Sequence, residues 1–257
     1  MSGTIKTQWL SPQIAELTFS NPGKRNALSL AMWQDLPGQL ADIAKGKDLR
    51  ALIVTGDGDH FSSGGDISEF ADLFATPESS AEFGKAIDAA FEALVEFRVP
   101  TIAKIRGGAV GGGCGLALAC DIRMGDETAF FAVTPAKLGI VYPFPEIARL
   151  VSTVGLPAAK DILFSARILK ADEALRIGLV NQAFSADTLD KSVMEYAKVL
   201  ASRSPNSLAQ TKRITAYLEA GETATNPEID TLIASAFLGK DFKEGYRAFL
   251  EKRPAKF

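Results

Sequence analysis

The chain has 257 residues, which is enough to bury a large core as one large domain or as a large domain with a small one. Apolar residues make up 47% of it and charged residues 23%, as in an ordinary soluble globular protein, and no uninterrupted apolar run is long enough to span a membrane. The net charge of −3 argues against nucleic acid as a partner, because nucleic-acid-binding proteins usually carry a basic face.

The first residues, MSGTIKTQWLSPQ, lack the apolar core of a signal peptide, so we expect a cytoplasmic protein. The two cysteines, Cys114 and Cys120, flank one short apolar stretch and are predicted to be buried packing residues rather than a disulfide framework or a nucleophile. The only histidine, His60, lies in a polar turn and is predicted to be exposed. One histidine excludes a multi-histidine metal site, and we expect no metal.

The first half of the chain predicts strands that alternate with helices. Residues 14–19 (IAELTF) alternate loosely, as a strand does, and Ser29 is expected to cap a helix with Met32 and Leu36 on its apolar face. Residues 76–80 are predicted to be mobile. The other elements predicted in this half are strands over 49–55 and 101–105 and helices over 66–73 and 82–97.

The second half predicts short strands and then helices alone. Strands that alternate with helices, followed by helices, indicate an α/β core with a helical C-terminal region. We place the boundary after residue 190, so that the core spans 1–190 and the helical region 191–257. The elements predicted in this half are strands over 121–124, 129–133 and 179–184 and helices over 145–154, 157–164, 207–218, 227–238 and 242–252, with the pattern helical throughout from residue 188.

A glycine-rich stretch, GGAVGGGCG, fills residues 107–115 at the centre of the chain. It follows the strand-like run TIAKI and precedes LALA, so the predicted order is strand, glycine turn and helix. Glycine lets the backbone approach a ligand closely, and a helix start presents unpaired N–H groups to negative charge. The spacing fits neither a G-x-G-x-x-G dinucleotide motif nor a phosphate-binding P-loop, and no G-x-S-x-G elbow occurs in the chain. By itself the stretch indicates close packing of a strand on a helix.

A second glycine turn, within FSSGGDISEF at residues 61–70, changes this interpretation. It too follows a strand-like run and opens a short helix, which Asp66 can cap. Two glycine turns at strand ends could each direct one N–H group to a common point, and two convergent N–H groups are what an oxyanion needs.

The two turns, in this order and separation, resemble the crotonase superfamily, also called the enoyl-CoA hydratase/isomerase family. Matching residues run along nearly the whole chain and are specific when taken together. Besides the two glycine stretches they are Asn21-Pro22 with Arg25-Asn26-Ala27-Leu28, Ala119-Cys120-Asp121-Ile122, Thr134-Pro135-Ala136-Lys137-Leu138-Gly139, Ala171 and Ala174 with Gly178-Leu179-Val180, and Asp241-Phe242 with Glu244-Gly245 and Phe249-Leu250.

The resemblance implies an α/β fold, a crotonase-like spiral of ββα turns with a helical C-terminal region that packs subunits into a homotrimer or a dimer of trimers. It implies an acyl-CoA thioester as ligand, with coenzyme A as part of the substrate and no separate cofactor. Gly65 and Gly112 align with the two N–H donors that hold the thioester oxygen as enolate charge develops. The positions expected to bind substrate, the first two of them at the CoA phosphates, are Lys24, Arg25, Ala27, Ser63, Gly64, Asp66, Ile67, Gly111, Leu138 and Lys252.

The acid and base positions of the family are empty in this sequence. Its hydratases use two glutamates, which align here with Gly115 and Pro135, and an acidic position used by other branches aligns with Pro143. Hydration needs one carboxylate to activate water and another to deliver a proton. We therefore expect a poor hydratase of simple 2-enoyl-CoA substrates.

The residues that could replace the missing groups are Glu69, Tyr142 and Glu146. Alternatively, Gly115 leaves room for a bound anion or water to act as base, as in some members of the family. On this interpretation the chain is an acyl-CoA enzyme that works through an enolate, of the isomerase, lyase or decarboxylase type. The alternatives are an acyl-CoA-binding protein with little catalysis and an ordinary hydratase whose acid the sequence does not reveal.

Overall fold

The computed structural model describes residues 3–219 and 221–257, and these form two β-sheets surrounded by helices. The strands are β1 (Thr4–Ser11), β2 (Ile14–Ser20), β3 (Ala51–Gly56), β4 (Thr101–Ile105), β5 (Gly108–Val110), β6 (Ile122–Asp126), β7 (Phe130–Ala132), β8 (Leu169–Lys170) and β9 (Gln182–Phe184). The helices are α1 (Leu30–Ala44), α2 (Phe70–Leu73), α3 (Pro77–Val95), α4 (Gly112–Ala119), α5 (Pro135–Leu138), α6 (Phe144–Ser165), α7 (Ala171–Arg176), α8 (Leu189–Ala201), α9 (Pro205–Glu219), α10 (Pro227–Leu238) and α11 (Lys240–Leu250). The predicted α/β class is confirmed.

The larger sheet has six strands in the order β1-β2-β3-β4-β6-β9. β1 pairs antiparallel with β2, and all other neighbours are parallel. β3 reads ALIVTG and is buried along nearly its whole length, as is usual for a parallel strand covered on both faces. The sequence does not predict β1, because most of its side chains are exposed and it therefore lacks an alternating apolar pattern.

Side chains of this sheet alternate between two apolar clusters, one on each face. Leu17 and Leu52 belong to the main core, which also contains buried residues of α1, α3 and α4. Ile53 and Ile102 belong to the second cluster, together with Leu189 and other residues of α8. The helix that begins at the expected boundary near residue 190 thus covers one face of the sheet, and the division of the chain at that residue stays a prediction.

The smaller sheet brings the two glycine turns together. It has the order β5-β7-β8, and two isolated parallel bridges extend it, one between Ser62 and Ala109 and one between Leu28 and Gly65. α4 begins directly after β5 and is buried along almost its whole length. The sequence does not predict β5, because its residues lie within the glycine stretch.

Several local predictions can be compared with the structure. Ser29 caps α1 as predicted. Residues 76–80, expected to be mobile, instead cap and begin α3, where Thr76 and Ser79 form a capping box. The two helices predicted over 145–164 are joined in α6, with Gly155 in a non-helical conformation between them. No helix in the described ranges is long and apolar enough to cross a membrane.

Candidate active site

The first glycine turn is held in place by a backbone pairing with Leu28. The Leu28 N–H donates to the Gly64 carbonyl oxygen at 2.7 Å, and the Asp66 N–H donates to the Leu28 carbonyl oxygen at 2.9 Å. In a parallel bridge of this kind the residue between the two bonded ones directs its own N–H to the opposite edge. Gly65 therefore directs its N–H away from Leu28.

The second glycine turn lies against the first. A Cβ atom placed on Gly64, whose φ is +88°, would lie 2.7 Å from the Gly112 nitrogen and 2.8 Å from the Val110 carbonyl oxygen. A Cβ atom on Gly113 would lie 2.1 Å from the Ser62 carbonyl oxygen. Such short separations are impossible for any residue with a side chain, so glycine is what allows the two turns to touch.

The N–H groups of Gly65 and Gly112 are both without a hydrogen-bond acceptor in the part of the chain that the structure describes. For Gly112 the reason is that it is the first residue of α4, where a helix has no internal partner for its N–H. The start of a helix also carries partial positive charge. Two unpaired donors in touching turns are a suitable environment for an oxygen that gains negative charge.

A cavity of about 330 Å³ opens beside these two N–H groups. Gly65 and Gly112 both border it, and most of its wall is apolar. Its aromatic and aliphatic side chains come mainly from α1, α2, α3 and the segment 138–143. They are Trp33, Ile67, Phe70, Phe74, Phe83, Ile87, Phe91, Leu138, Ile140, Val141 and Tyr142.

The two positions of the missing glutamates differ in their surroundings. Pro135 is the first residue of α5 and borders the cavity. Gly115 is buried in α4, where a Cβ atom would lie 2.8 Å from both the Phe91 ring and the Tyr142 hydroxyl oxygen. The expectation that Gly115 leaves room for an anion or water is therefore wrong, because these two side chains occupy the space.

Glu146 is the carboxylate that the structure brings to the cavity. It lies in the first turn of α6, is only 2% exposed, and borders the cavity together with Pro135 and Tyr142. One oxygen, Oε1, lies 3.5 Å from the Arg149 guanidinium, and the other, Oε2, is buried without a donor among the described residues. Burial raises the pKa of this carboxyl above its usual value of 4.5, and the residue's own backbone N–H and Arg149 oppose the shift only in part.

Tyr142 lies between Glu146 and the glycine turn. Its hydroxyl donates to the Gly111 carbonyl oxygen at 3.0 Å. Burial raises the pKa of the phenol well above its usual value of 10, so the hydroxyl is uncharged and can donate this bond at neutral pH.

Glu69, the third candidate acid, has a structural contact instead. Its Oε2 accepts the Leu30 N–H at 2.8 Å at the start of α1, and it does not border the cavity. Asp66 caps the short 3-10 turn over 67–69, as predicted, and its buried carboxylate is held by Lys24 Nζ at 2.6 Å and by Ser68. Despite the opposing effect of burial, these hydrogen bonds keep the pKa of Asp66 below its usual value.

The remaining predicted substrate positions are distributed around the turns. Ser63, Ile67, Gly111 and Leu138 border the cavity, whereas Ala27 is buried and does not border it. Lys24 and the exposed Arg25 are attached to the first turn, because Ser63 donates to the carbonyl oxygens of both. Lys252 follows the end of α11 and does not border the cavity of its own chain.

The single histidine and the cysteines can also be compared with their predictions. His60 is only partly exposed, which corrects the prediction of an exposed side chain: its Nδ1 accepts the Gly108 N–H at 3.1 Å and its ring packs on Phe130. Cys114 and Cys120 are buried as predicted, and burial raises the pKa of each thiol to about 12. Neither thiol is therefore a nucleophile at neutral pH.

Sequence reasoning missed the aromatic wall, above all Trp33 and Phe91. Phe91 has the signal of a core residue, since it belongs to the apolar face of α3. Trp33 follows Met32 on α1, and both are buried. Nothing in a helical pattern distinguishes a side chain that borders a cavity from one that fills a core.

Comparisons with known proteins show the family of the chain. The model of the enoyl-CoA hydratase/isomerase family matches residues 10–257. The chain is 32% identical over 249 residues to the short-chain-enoyl-CoA hydratase of Clostridium acetobutylicum, covering 94% of this chain and 92% of that protein. It is 31% identical over 258 residues to the peroxisomal Delta(3,5)-Delta(2,4)-dienoyl-CoA isomerase of Arabidopsis thaliana, covering 95% and 92%. A solved structure of an enoyl-CoA hydratase/isomerase family protein from Hyphomonas neptunium matches with a TM-score of 0.94 and 41% identity, over 98% of this chain and 97% of that one.

Proposed function

Because the chain belongs to the enoyl-CoA hydratase/isomerase family, the crotonase superfamily, we propose that it binds an acyl-CoA with the thioester oxygen between the N–H groups of Gly65 and Gly112. The observation that carries the proposal is the pair of unpaired N–H groups in touching turns at the edge of an apolar cavity. In this arrangement the N–H groups stabilise the negative charge that the thioester oxygen gains as an enolate forms.

Glu146 is proposed as the acid and base of the reaction. As a carboxylate it removes a proton from the carbon next to the thioester carbonyl, and as the resulting acid it returns that proton to a different carbon of the conjugated system. A buried carboxyl with a raised pKa suits this exchange, because catalytic groups work best when their pKa lies near the operating pH. Tyr142 is a positioning residue, since its bond to the Gly111 carbonyl oxygen supports the turn that presents the Gly112 N–H.

One carboxyl of this kind suits proton transfer better than hydration. Isomerisation needs a single group that takes and returns one proton, whereas hydration uses two, one for water and one for carbon. The dienoyl-CoA isomerase among the relatives is compatible with this choice. The second candidate function is enoyl-CoA hydration with Glu146 as the only carboxyl, which the hydratase names of other relatives favour. The third is acyl-CoA binding with little catalysis.

The coenzyme A part of the ligand is proposed to lie over the turn that contains Lys24 and Arg25. This turn is exposed and is attached to Ser63, which borders the cavity. Lys24 is held by Asp66, so Arg25 is the cation of this turn with its charge uncommitted among the described ion pairs. Guanidinium groups bind phosphate well.

Exchange of α-protons in a saturated thioester tests the proposal directly. Butyryl-CoA has no double bond to hydrate or isomerise, so incorporation of deuterium at its α-carbon in D2O, followed by mass spectrometry, reports enolate formation alone. We expect exchange with the wild-type protein and a loss of about 10²–10⁴-fold in Glu146→Gln, with butyryl-CoA binding retained. Glu92→Gln, which removes a carboxylate from the exposed side of α3, is the matched control.

The outcomes separate enolate formation from binding alone and test the assignment of the base. Binding without exchange in the wild-type protein would support the acyl-CoA-binding alternative. Full exchange in Glu146→Gln would show that another group is the base. Absence of both binding and exchange for butyryl-CoA and longer acyl-CoA thioesters would contradict the proposal as a whole.

The C-terminal helices are proposed to pack between subunits of a homotrimer or a dimer of trimers. Large apolar side chains are exposed there, among them Leu238 at 79% and Phe249 at 82%, and such surface is costly to leave in water. Light scattering at micromolar concentration is expected to give three or six times the 27.4 kDa mass of the chain. A monomer would contradict this proposal and leave the chemistry of the site untouched.

A further inference from the structure

The indole N–H of Trp33 is a buried donor without an acceptor. The side chain is 1% exposed, and no acceptor for Nε1 lies among the described residues. Most buried polar groups in proteins have a hydrogen-bond partner, and each exception needs an explanation. A donor that loses its partner water on folding and gains nothing in return is destabilising.

The position of Trp33 suggests what could supply the acceptor. The residue borders the cavity, and its ring lies against the second glycine turn: a Cβ atom on Gly112 would lie 3.2 Å from Cζ2, the ring atom two bonds away from Nε1. The unpaired indole N–H is therefore close to one of the two proposed thioester donors. A ligand that fills the cavity would bring an acceptor oxygen to this part of its wall.

The indole is fixed in this position by its surroundings. Its own backbone N–H donates to Ser29, the cap of α1, and the start of the helix is held further by Glu69. The ring packs on Phe91 with 5.7 Å between ring centroids. A donor held in this way loses little conformational freedom when it binds, so its hydrogen bond contributes to selectivity.

A second unpaired atom borders the same cavity. Glu146 Oε2 has no donor among the described residues, and most of the cavity wall is apolar. An unpaired donor and an unpaired acceptor are complementary to an oxygen-bearing group, and a hydroxyl both accepts and donates. A plain hydrocarbon chain would leave both atoms unpaired.

We propose that the indole N–H of Trp33 determines substrate specificity by donating to an oxygen on the acyl chain, so that the site prefers CoA thioesters with a hydroxyl or keto oxygen near the thioester over those with an unsubstituted chain. The inference rests on the proposed function, because it assumes that the cavity holds the acyl group. It adds a residue and a substrate class to that function.

The indole resonance of Trp33 provides a test that does not alter the residue. The chain has two tryptophans, and the exposed Trp9 can be replaced by Trp9→Phe, which leaves Trp33 as the single indole signal in a ¹⁵N-labelled protein. Butyryl-CoA, 3-hydroxybutyryl-CoA and acetoacetyl-CoA are then added at saturation. We expect a downfield shift of the indole proton with the two oxygen-bearing ligands and a much smaller shift with butyryl-CoA.

Affinity provides the second measurement. Trp33→Phe is expected to weaken 3-hydroxybutyryl-CoA and acetoacetyl-CoA by roughly two- to tenfold, the value of one neutral hydrogen bond, and to change butyryl-CoA much less. Equal indole shifts for all three bound ligands, or equal loss of affinity, would overturn this inference and leave the proposed function standing. If none of the three ligands bound, the proposed function would fail first and the inference with it.

Discussion

The functional groups at the cavity belong to two sets, one supplied by the backbone and one by side chains. The first set, here called the backbone end, consists of N–H groups in two glycine turns, and their positions follow from a parallel bridge and a helix start. The second set, here called the side-chain end, consists of the side chains of Glu146 and Tyr142, whose environment depends on the packing of α3, α4 and α6. A backbone site leaves a local pattern in the sequence, whereas a side-chain site depends on contacts between distant residues.

The largest expected effect concerns the side-chain end. With Gly115 and Pro135 in place of two glutamates, crotonyl-CoA is expected to bind but to be hydrated about 10²–10⁴-fold more slowly than the roughly 10 s⁻¹ of a typical enzyme. The measurement is the decay of the conjugated-thioester absorbance. Turnover near 10 s⁻¹ would show that the side-chain end supplies hydration chemistry after all, and its loss in Glu146→Gln would then identify the group.

The fold was largely predictable because its signals are local. The sequence correctly predicts the strand β3, the helix cap at Ser29 and both glycine turns, because each of these features is encoded by residues that are neighbours in the chain. β1 and β5 were not predicted, since one is mostly exposed and the other lies within the glycine stretch, so neither has the apolar pattern of a strand.

For the side-chain end, the sequence predicts only a set of candidate acids and bases. Glu69, Tyr142 and Glu146 are equivalent in the sequence, and only packing distinguishes them: one bonds to a helix start, one to a turn, and one is buried without a complete set of partners. Phe91 and Tyr142, which fill the space at Gly115, lie 24 and 27 positions away from it in the sequence. No local pattern indicates such a contact.

The next prediction concerns the backbone end. Gly64→Ala is expected to separate the two turns, because its Cβ would collide with the Gly112 nitrogen, and so to lower turnover of the best substrate by about 10²–10³-fold. Gly58→Ala is the matched control: Gly58 also has a positive φ, of +70°, but a Cβ atom there meets nothing within 4 Å. The Gly58→Ala variant therefore has similar backbone strain but no collision between the new Cβ and a neighbouring turn. Equal loss of activity in both variants would show that strain, rather than the contact between the turns, is responsible.

A smaller effect is expected where the two ends meet, at Gly115. Gly115→Ala places a Cβ 2.8 Å from the Phe91 ring and the Tyr142 hydroxyl, so thermal or urea unfolding is expected to show a loss of about 1–3 kcal/mol from overpacking. Gly38→Ala is the control, because Gly38 lies inside α1 with nothing within 4 Å of its Cβ position, and it should stabilise by about 0.5–1 kcal/mol. A stabilised Gly115→Ala would mean that the space is open and that a base of another kind can occupy it.

The smallest expected effect is a pH dependence of stability that belongs to the side-chain end alone. Since the folded protein raises the pKa of Glu146 above 4.5, the folded state binds its proton more tightly than the unfolded state does. This contribution to stability is present in full below pH 4.5 and is lost as the pH rises through the folded pKa, at about 1.4 kcal/mol for each unit of pKa difference.

The Glu146→Gln variant has no carboxyl that titrates at this position, so it does not lose this contribution to stability. The difference between its melting temperature and that of the wild-type protein should therefore increase as the pH rises from 4 toward neutrality. Glu92→Gln controls for the removal of one negative charge from the surface. A difference that does not grow with pH, or that grows equally for Glu92→Gln, would mean that the Glu146 carboxyl is hydrated in the cavity, and the distinction between a dry side-chain end and a backbone end would not hold.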